Sequence, residues 1–245
     1  MRSGEIARRS GGLAVIALAA LLGLVGCGGG SASEGSSGAG SSKVDTVTAQ
    51  RVVSKASGSL TIRTKPSTSA SELEKLSVTT PLGSRRVLMA EEITEGWVKV
   101  TLPTRPDGRV GWVSSDDVTL EPVTSRIDVD LKSRKMTLTQ DGKKIVTADA
   151  AVGPEKYPTP TGKFYVVDRI QSEDASGGYG PFALGLSVHS PTLSQYGGGD
   201  AQIGIHGTDK PETIGLALTH GCIRVSNEVA SKLSSVPLGT PVVIA

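Results

Sequence analysis

Between residues 52 and 118 apolar and polar side chains alternate in short runs, 60–63 (LTIR), 72–76 (ELEKL), 86–89 (RVLM), 97–100 (WVKV) and 109–113 (RVGWV), with Gly, Pro, Ser and Asp between them. A period of two broken by turn formers predicts short strands with one buried face, and their close spacing suits a small β-barrel. A second β-rich stretch opens at Ser125. Residues 126–131 (RIDVDL) and 135–139 (KMTLT) alternate, Asp141-Gly142 is a hairpin signal, and 144–152 supplies the next strand. The run 158–166 (PTPTGKFYV) marks a rigid turn feeding a strand, because Pro fixes φ and Gly permits positive φ. Helical periodicity is scarce. Residues 228–233 form the best short helix and 241–245 a terminal strand. The pattern predicts a mainly all-β chain in two parts, 51–121 and 125–245, with one short helix.

The N-terminus reads differently. Arg2, Arg8 and Arg9 precede an apolar run over 13–25, too short for a convincing transmembrane span and typical of an export signal. Leu24-Val25-Gly26-Cys27 resembles the lipobox of bacterial lipoproteins. That resemblance implies cleavage before Cys27, lipidation of its sulfur, and anchoring to the outer face of the plasma membrane, facing the cell wall. Gly, Ser and Ala dominate residues 28–43, so 27–50 is expected to be a flexible tether with a reach of roughly 20–25 Å.

Charge narrows the partners. Of 26 basic and 24 acidic residues, the segment 1–26 holds three Arg and one Glu, leaving 23 of each sign in the mature chain. With no basic stripe and 3% aromatic residues, nucleic-acid binding is not expected.

Cysteine usage points to chemistry. Cys27 and Cys222 are the two cysteines, so no disulfide framework is available, and with Cys27 lipidated Cys222 would be an unpaired thiol in an oxidising compartment. Its neighbourhood, Thr219-His220-Gly221-Cys222-Ile223-Arg224, follows Gly204-Ile205-His206-Gly207-Thr208. A thiol becomes an effective nucleophile as the thiolate, and imidazole is the base matched to that task near neutral pH. A buried cysteine packing as a small hydrophobe is the competing reading. His220, two positions before Cys222, would share its face on a strand. His189 lacks a motif and is expected at the surface or on an edge strand. Histidines and a thiolate are zinc ligands, yet neither CxxC nor HExxH spacing occurs, so neither a metal nor another cofactor is expected.

Two resemblances follow from these blocks. The 159–164 turn (TPTGKF), the 204–208 block and the 219–224 block together resemble the catalytic domain of the L,D-transpeptidases, or YkuD-type domains, over residues 125–245. Residues 61–67, 96–100 and 108–113 resemble a bacterial SH3-like domain, in which Trp97, Trp112 and Arg63 would line a groove for wall peptides; the plainer reading is that at least one tryptophan fills the core. The transpeptidase resemblance implies a peptidoglycan cross-linking enzyme, an acyltransferase that cuts a tetrapeptide stem after its third residue, releases D-alanine and passes the acyl group to a stem amine. It implies Cys222 as nucleophile, His206 as base, the Gly207 carbonyl as the group orienting that base, and backbone N–H groups near Gly221 and Cys222 as oxyanion donors. His220 is a candidate assistant to the thiolate. Arg224, Thr219, Gly221 and Tyr179 are candidate substrate contacts, and residues 176–185 and 196–199 candidate loops over the site. Arg224 replaces an Asn that many members carry two residues after the cysteine; it would hold a stem carboxylate or form an internal salt bridge. The resemblance also implies acylation by carbapenems. Two other functions stay open: an L,D-carboxypeptidase or cysteine peptidase, in which water replaces the amine, and a catalytically silent wall-binding lipoprotein.

Overall fold

The computed structural model describes residues 49–55 and 57–245, with the backbone of 42–43. The expected export signal and Cys27 lie outside the described residues. The described residues fall within one compact unit.

The first sheet contains β1 (Ser42–Lys43), β2 (Ala49–Ser54), β3 (Ser59–Arg63), β4 (Glu72–Ser77), β5 (Val87–Thr94), β6 (Trp97–Thr101), β7 (Val110–Ser114) and β8 (Val118–Val123), in the order β4-β3-β7-β6-β5-β2-β8. Alternation places Val98, Val100 and Val113 in an aliphatic core with Leu60, Ile62 and Leu88. The same alternation turns Trp97, Lys99 and Trp112 outward, so both tryptophans are half-buried and neither fills the core. The expected tether is too long at its C-terminal end. Ala49 and Gln50 already belong to β2, and Ser42–Lys43 pairs with Glu92 and Ile93 of β5. The cause is the length of β5: β2 covers only Val87, Leu88 and Met89, which leaves the far end of that edge open to another strand.

The second sheet contains β9 (Ser125–Asp130), β10 (Lys135–Gln140), β11 (Lys143–Asp149), β12 (Gly162–Gln171), β13 (Phe182–His189), β14 (Gln202–His206), β15 (Ile223–Arg224) and β16 (Pro241–Ile244), in the order β11-β10-β9-β16-β12-β13-β14-β15. Asp141 and Gly142 both take positive φ (49° and 73°), the geometry of a two-residue turn whose twist matches the paired strands β10 and β11. Phe182, inside the expected 176–185 loop, begins β13, so the loop ends earlier than the glycines suggest.

Inward side chains of β9 and β10 (Ile127, Val129, Met136, Leu138) join those of β13 and β14 (Leu184, Leu186, Ile203, Ile205) in one core. Burying each such side chain stabilises the fold by about 1.5–3 kcal/mol relative to exposure. The helix α1 (Asn227–Lys232) starts where Ser226 accepts a hydrogen bond from the N–H of Val229, and it buries Val229 and Ala230 in that core. The two sheets are tied by polar contacts: Thr80 Oγ1 donates to Asp168 Oδ1 (2.5 Å), Tyr165 Oη to the Thr101 carbonyl (2.8 Å), and Arg51 Nη1 to the Leu238 carbonyl (2.9 Å). Among the described residues no helix is long and apolar enough to cross a membrane.

Candidate active site

His206 is the last residue of β14, and Cys222 immediately precedes β15. These strands pair in parallel, Ile205 with Ile223 and His206 with Arg224, so the residues before each pair, Gly204 and Cys222, also fall side by side. Accordingly the Gly204 N–H reaches Cys222 Sγ at 3.4 Å. His206, Cys222 and Arg224 line one cleft of about 160 Å³, together with Tyr179, Tyr196 and His220.

The turn before the thiol is held from behind. Gly221 has φ +112°, a backbone conformation that L side chains rarely adopt, and a Cβ there would also press on Ile203 Cδ1 at 2.9 Å, so glycine is favoured mainly on backbone grounds. Thr219 is 1% exposed. Its hydroxyl donates to the Cys222 carbonyl (2.7 Å) and accepts from the Gly221 N–H (3.1 Å), while Thr159 Oγ1 donates to the Gly221 carbonyl (2.9 Å).

Two sequence expectations change here. Thr219 and Gly221 brace the turn before Cys222 and do not line the cleft. Of the two expected oxyanion donors, the Gly221 N–H is already satisfied by Thr219, whereas the Cys222 N–H has no acceptor among the described residues.

The imidazole of His206 is fixed by a neighbour in sequence. Its Nδ1 lies 2.6 Å from the Gly207 carbonyl oxygen, which can only accept, so Nδ1 carries the hydrogen and Nε2 is left as the basic nitrogen. Gly207 is itself held in a tight place, since a Cβ on it would collide with Asn227 Oδ1, and that same oxygen accepts from the Thr208 N–H (2.8 Å). Burial lowers the His206 pKa to about 4; the hydrogen bond to Gly207 opposes this and the charge of Arg224 adds to it. Burial also pushes the Cys222 thiol up, against the opposing effects of the Gly204 N–H and of Arg224. Both shifts favour the uncharged forms, a thiol and a neutral imidazole, in the resting cleft.

His220 does not share a strand face with the thiol, because the positive φ of Gly221 breaks the extended chain between them. It is exposed, with ring centroids 4.8 Å from Tyr157 and 5.1 Å from Tyr196. Tyr179 packs on His206 at 4.8 Å. Arg224 forms no ion pair among the described residues, and its Nε is buried without a hydrogen-bond partner, which removes the internal salt bridge. His189 is neither at the surface nor on an edge: it is 3% exposed on β13, between β12 and β14, with Asp107 and Asp200 on its two ring nitrogens. Nothing in the sequence signalled that placement, because Asp107 arrives from a loop 82 residues away and Asp200 from the far end of the connection that follows β13. The Gly204 N–H and the Asn227 carbonyl oxygen were equally silent, the first being backbone and the second a residue in a helix's first turn. Among the described residues no group of three or more His, Cys, Asp or Glu is arranged for a metal ion.

The profile of the L,D-transpeptidase catalytic domain, YkuD, matches residues 124–244. A Bacillus licheniformis protein carrying the name L,D-transpeptidase YkuD is 34% identical over 125 residues, 51% of this chain and 67% of that protein. The chain belongs to the L,D-transpeptidase (YkuD) family. The Bacillus subtilis protein of the same name is 35% identical over 119 residues, 48% of this chain and 64% of the relative's length, so the chain spans just under two thirds of that protein. An L,D-transpeptidase from Mycobacterium smegmatis aligns with 66% of this chain and 91% of its own, at 17% identity and a TM-score of 0.42. Both Bacillus matches cover about half of this YkuD-family chain.

Proposed function

We propose that this protein is a peptidoglycan L,D-transpeptidase acting through a Cys222 thioester. The observation that carries the reading is the shared cleft of Cys222 and His206, with the Gly207 carbonyl selecting the His206 tautomer that leaves Nε2 free. In the first step Sγ attacks the carbonyl of the third stem residue while its proton passes to His206 Nε2. The tetrahedral oxyanion accepts the Cys222 N–H, and collapse breaks the amide, His206 returning the proton to the departing D-alanine amine. A stem amine then attacks the thioester, losing its proton to His206, and the thiol is regenerated. A positioned general base contributes roughly 10²–10⁴-fold to such a rate. Arg224, with an unpaired Nε at the cleft, is the residue we assign to a stem carboxylate.

The first sheet is read as an SH3-like module, on its short alternating strands and its outward Trp97 and Trp112. The sequence Leu24-Val25-Gly26-Cys27 supports a lipid anchor at Cys27 and an extracytoplasmic, wall-facing location. Carbapenems, whose strained carbonyl resembles the donor's, are expected to acylate the same thiol.

Incubating the chain from residue 40 onward with a disaccharide-tetrapeptide, beside Cys222→Ala, tests the reading by mass spectrometry. A cross-linked dimer lacking one D-alanine, absent with the variant, is the expected product. Tripeptide without dimer would make it a carboxypeptidase, and unchanged substrate would leave a wall-binding lipoprotein. A carbapenem adduct surviving in Cys222→Ala would remove Cys222 as the acylated group.

A further inference from the structure

The connection between β13 and β14, residues 190–201, supplies one wall of the cleft through Leu193, Tyr196 and Ala201, and Tyr196 lies against His220. A connection of this length without regular structure costs considerable entropy to hold in one shape. Its restraint comes from the first sheet, from the loop between β6 and β7. That loop is tied to its own sheet: Arg109 Nη2 stands 2.5 Å from Glu74 Oε2 and donates to Thr104 Oγ1 (2.7 Å) and the Arg105 carbonyl (3.1 Å). From this base Arg105 reaches across. Its Nη2 donates to the carbonyls of Ser190 (3.1 Å), Leu193 (2.9 Å) and Asp200 (3.0 Å), and its Nε to Asp200 again (3.3 Å). Three of the four bonds converge on Nη2, so one nitrogen gathers the two ends and the middle of the wall segment, and a lysine ammonium, one bond nearer the backbone and without the Nε contact, falls short of it.

Asp107 adds a second tie. Its Oδ2 accepts the His189 N–H (3.0 Å), its Oδ1 stands 2.6 Å from His189 Nδ1, and His189 Nε2 faces Asp200 Oδ2 at 3.1 Å. The residue just before the wall segment and the residue near its end are therefore linked through one buried imidazole to the first sheet.

We propose that Arg105 and Asp107 are positioning residues for the acyl transfer, the first sheet setting the shape of the cleft wall against which the donor peptide lies. This rests on the function proposed above for the same cleft. It gives the first sheet a part in the reaction in addition to any contact with the wall.

The test uses the full-length chain and the variants Arg105→Ala, Arg105→Lys and Asp107→Asn, with three readouts. The first is the steady-state transfer reaction, the second alkylation of Cys222 by iodoacetamide, and the third chymotryptic cleavage after Leu193 or Tyr196. Arg105→Ala is expected to raise the donor KM about tenfold with kcat within about twofold. Arg105→Lys is expected to recover less than half of that loss, and Asp107→Asn to shift KM in the same direction. Iodoacetamide, too small to need the wall, should react at the parent rate, and cleavage after Leu193 or Tyr196 should accelerate several-fold. An unchanged KM with an unchanged cleavage rate overturns the proposal, as does full rescue by Lys. A parallel fall in kcat, alkylation and Tm also overturns it, since that is loss of fold and not of position. If the parent chain transfers nothing, the transpeptidase reading fails by itself, and the cleavage rates still decide whether Arg105 and Asp107 hold the wall.

Discussion

His206 Nδ1 and the carbonyl oxygen of Gly207 lie 2.6 Å apart, so a residue's own successor fixes its tautomer. The arrangement leaves Nε2 as the basic nitrogen without recruiting a carboxylate to Nδ1. Replacing His206 with Ala should lower the rate of thioester formation by roughly 10²–10⁴-fold with Cys222 intact, measured by stopped-flow or mass spectrometry with a carbapenem. A loss below about threefold would show that another group takes the thiol proton.

The thiol's own titration follows from burial, which raises its pKa and outweighs the Gly204 N–H and Arg224. The iodoacetamide rate in the free enzyme should keep rising with pH beyond the range of an ordinary thiol. A plateau below neutral pH would mean a preformed thiolate–imidazolium pair and would contradict the neutral resting state.

Acid should destabilise the fold through His206. Its pKa is about 4 in the folded protein, against an ordinary value near 6.5, because burial disfavours the imidazolium. Between those values the unfolded chain binds the proton and the native chain does not, so stability rises with pH across the window. The contribution is fully present above about 6.5, declines as pH falls, and is lost below about 4, a change on the order of 3 kcal/mol. Tm followed from pH 7 to 4 should fall more steeply in the parent than in His206→Ala; parallel curves would assign the acid sensitivity elsewhere.

Thr219 is best tested by removing its hydroxyl at constant shape. Thr219→Val strands the buried Cys222 carbonyl and Gly221 N–H, and should cost about 1–3 kcal/mol in denaturant unfolding. It should also slow acylation roughly ten- to a hundredfold by loosening the nucleophile's turn. Thr219→Ser keeps both hydrogen bonds and should recover most of each loss. Equal behaviour of Val and Ser would remove the bracing role.

The strands were legible because a half-buried strand writes its two faces into alternate residues, as in RIDVDL, and because Asp141-Gly142 suits one kind of turn. The unpaired Cys222 and the spacing of its glycines and histidines likewise announced nucleophile chemistry. What those signals lack is direction in space. The sequence placed His220 beside the thiol on a strand, and one positive φ at Gly221 sends it instead between Tyr157 and Tyr196. It offered Gly221 as an oxyanion donor, and a hydroxyl two residues away consumes that N–H. It read His189 as a surface or edge-strand residue, while Asp107 and Asp200 converge on it from 82 residues before and 11 residues after. Local propensity and covalent chemistry act through neighbours in the chain, so the sequence by itself determined the strands, the turns and the reactive thiol. Hydrogen bonds and burial act through neighbours in space, so the packed fold was needed to see which imidazole keeps a free Nε2 in the cleft, which amide lacks an acceptor and which arginine reaches the cleft wall.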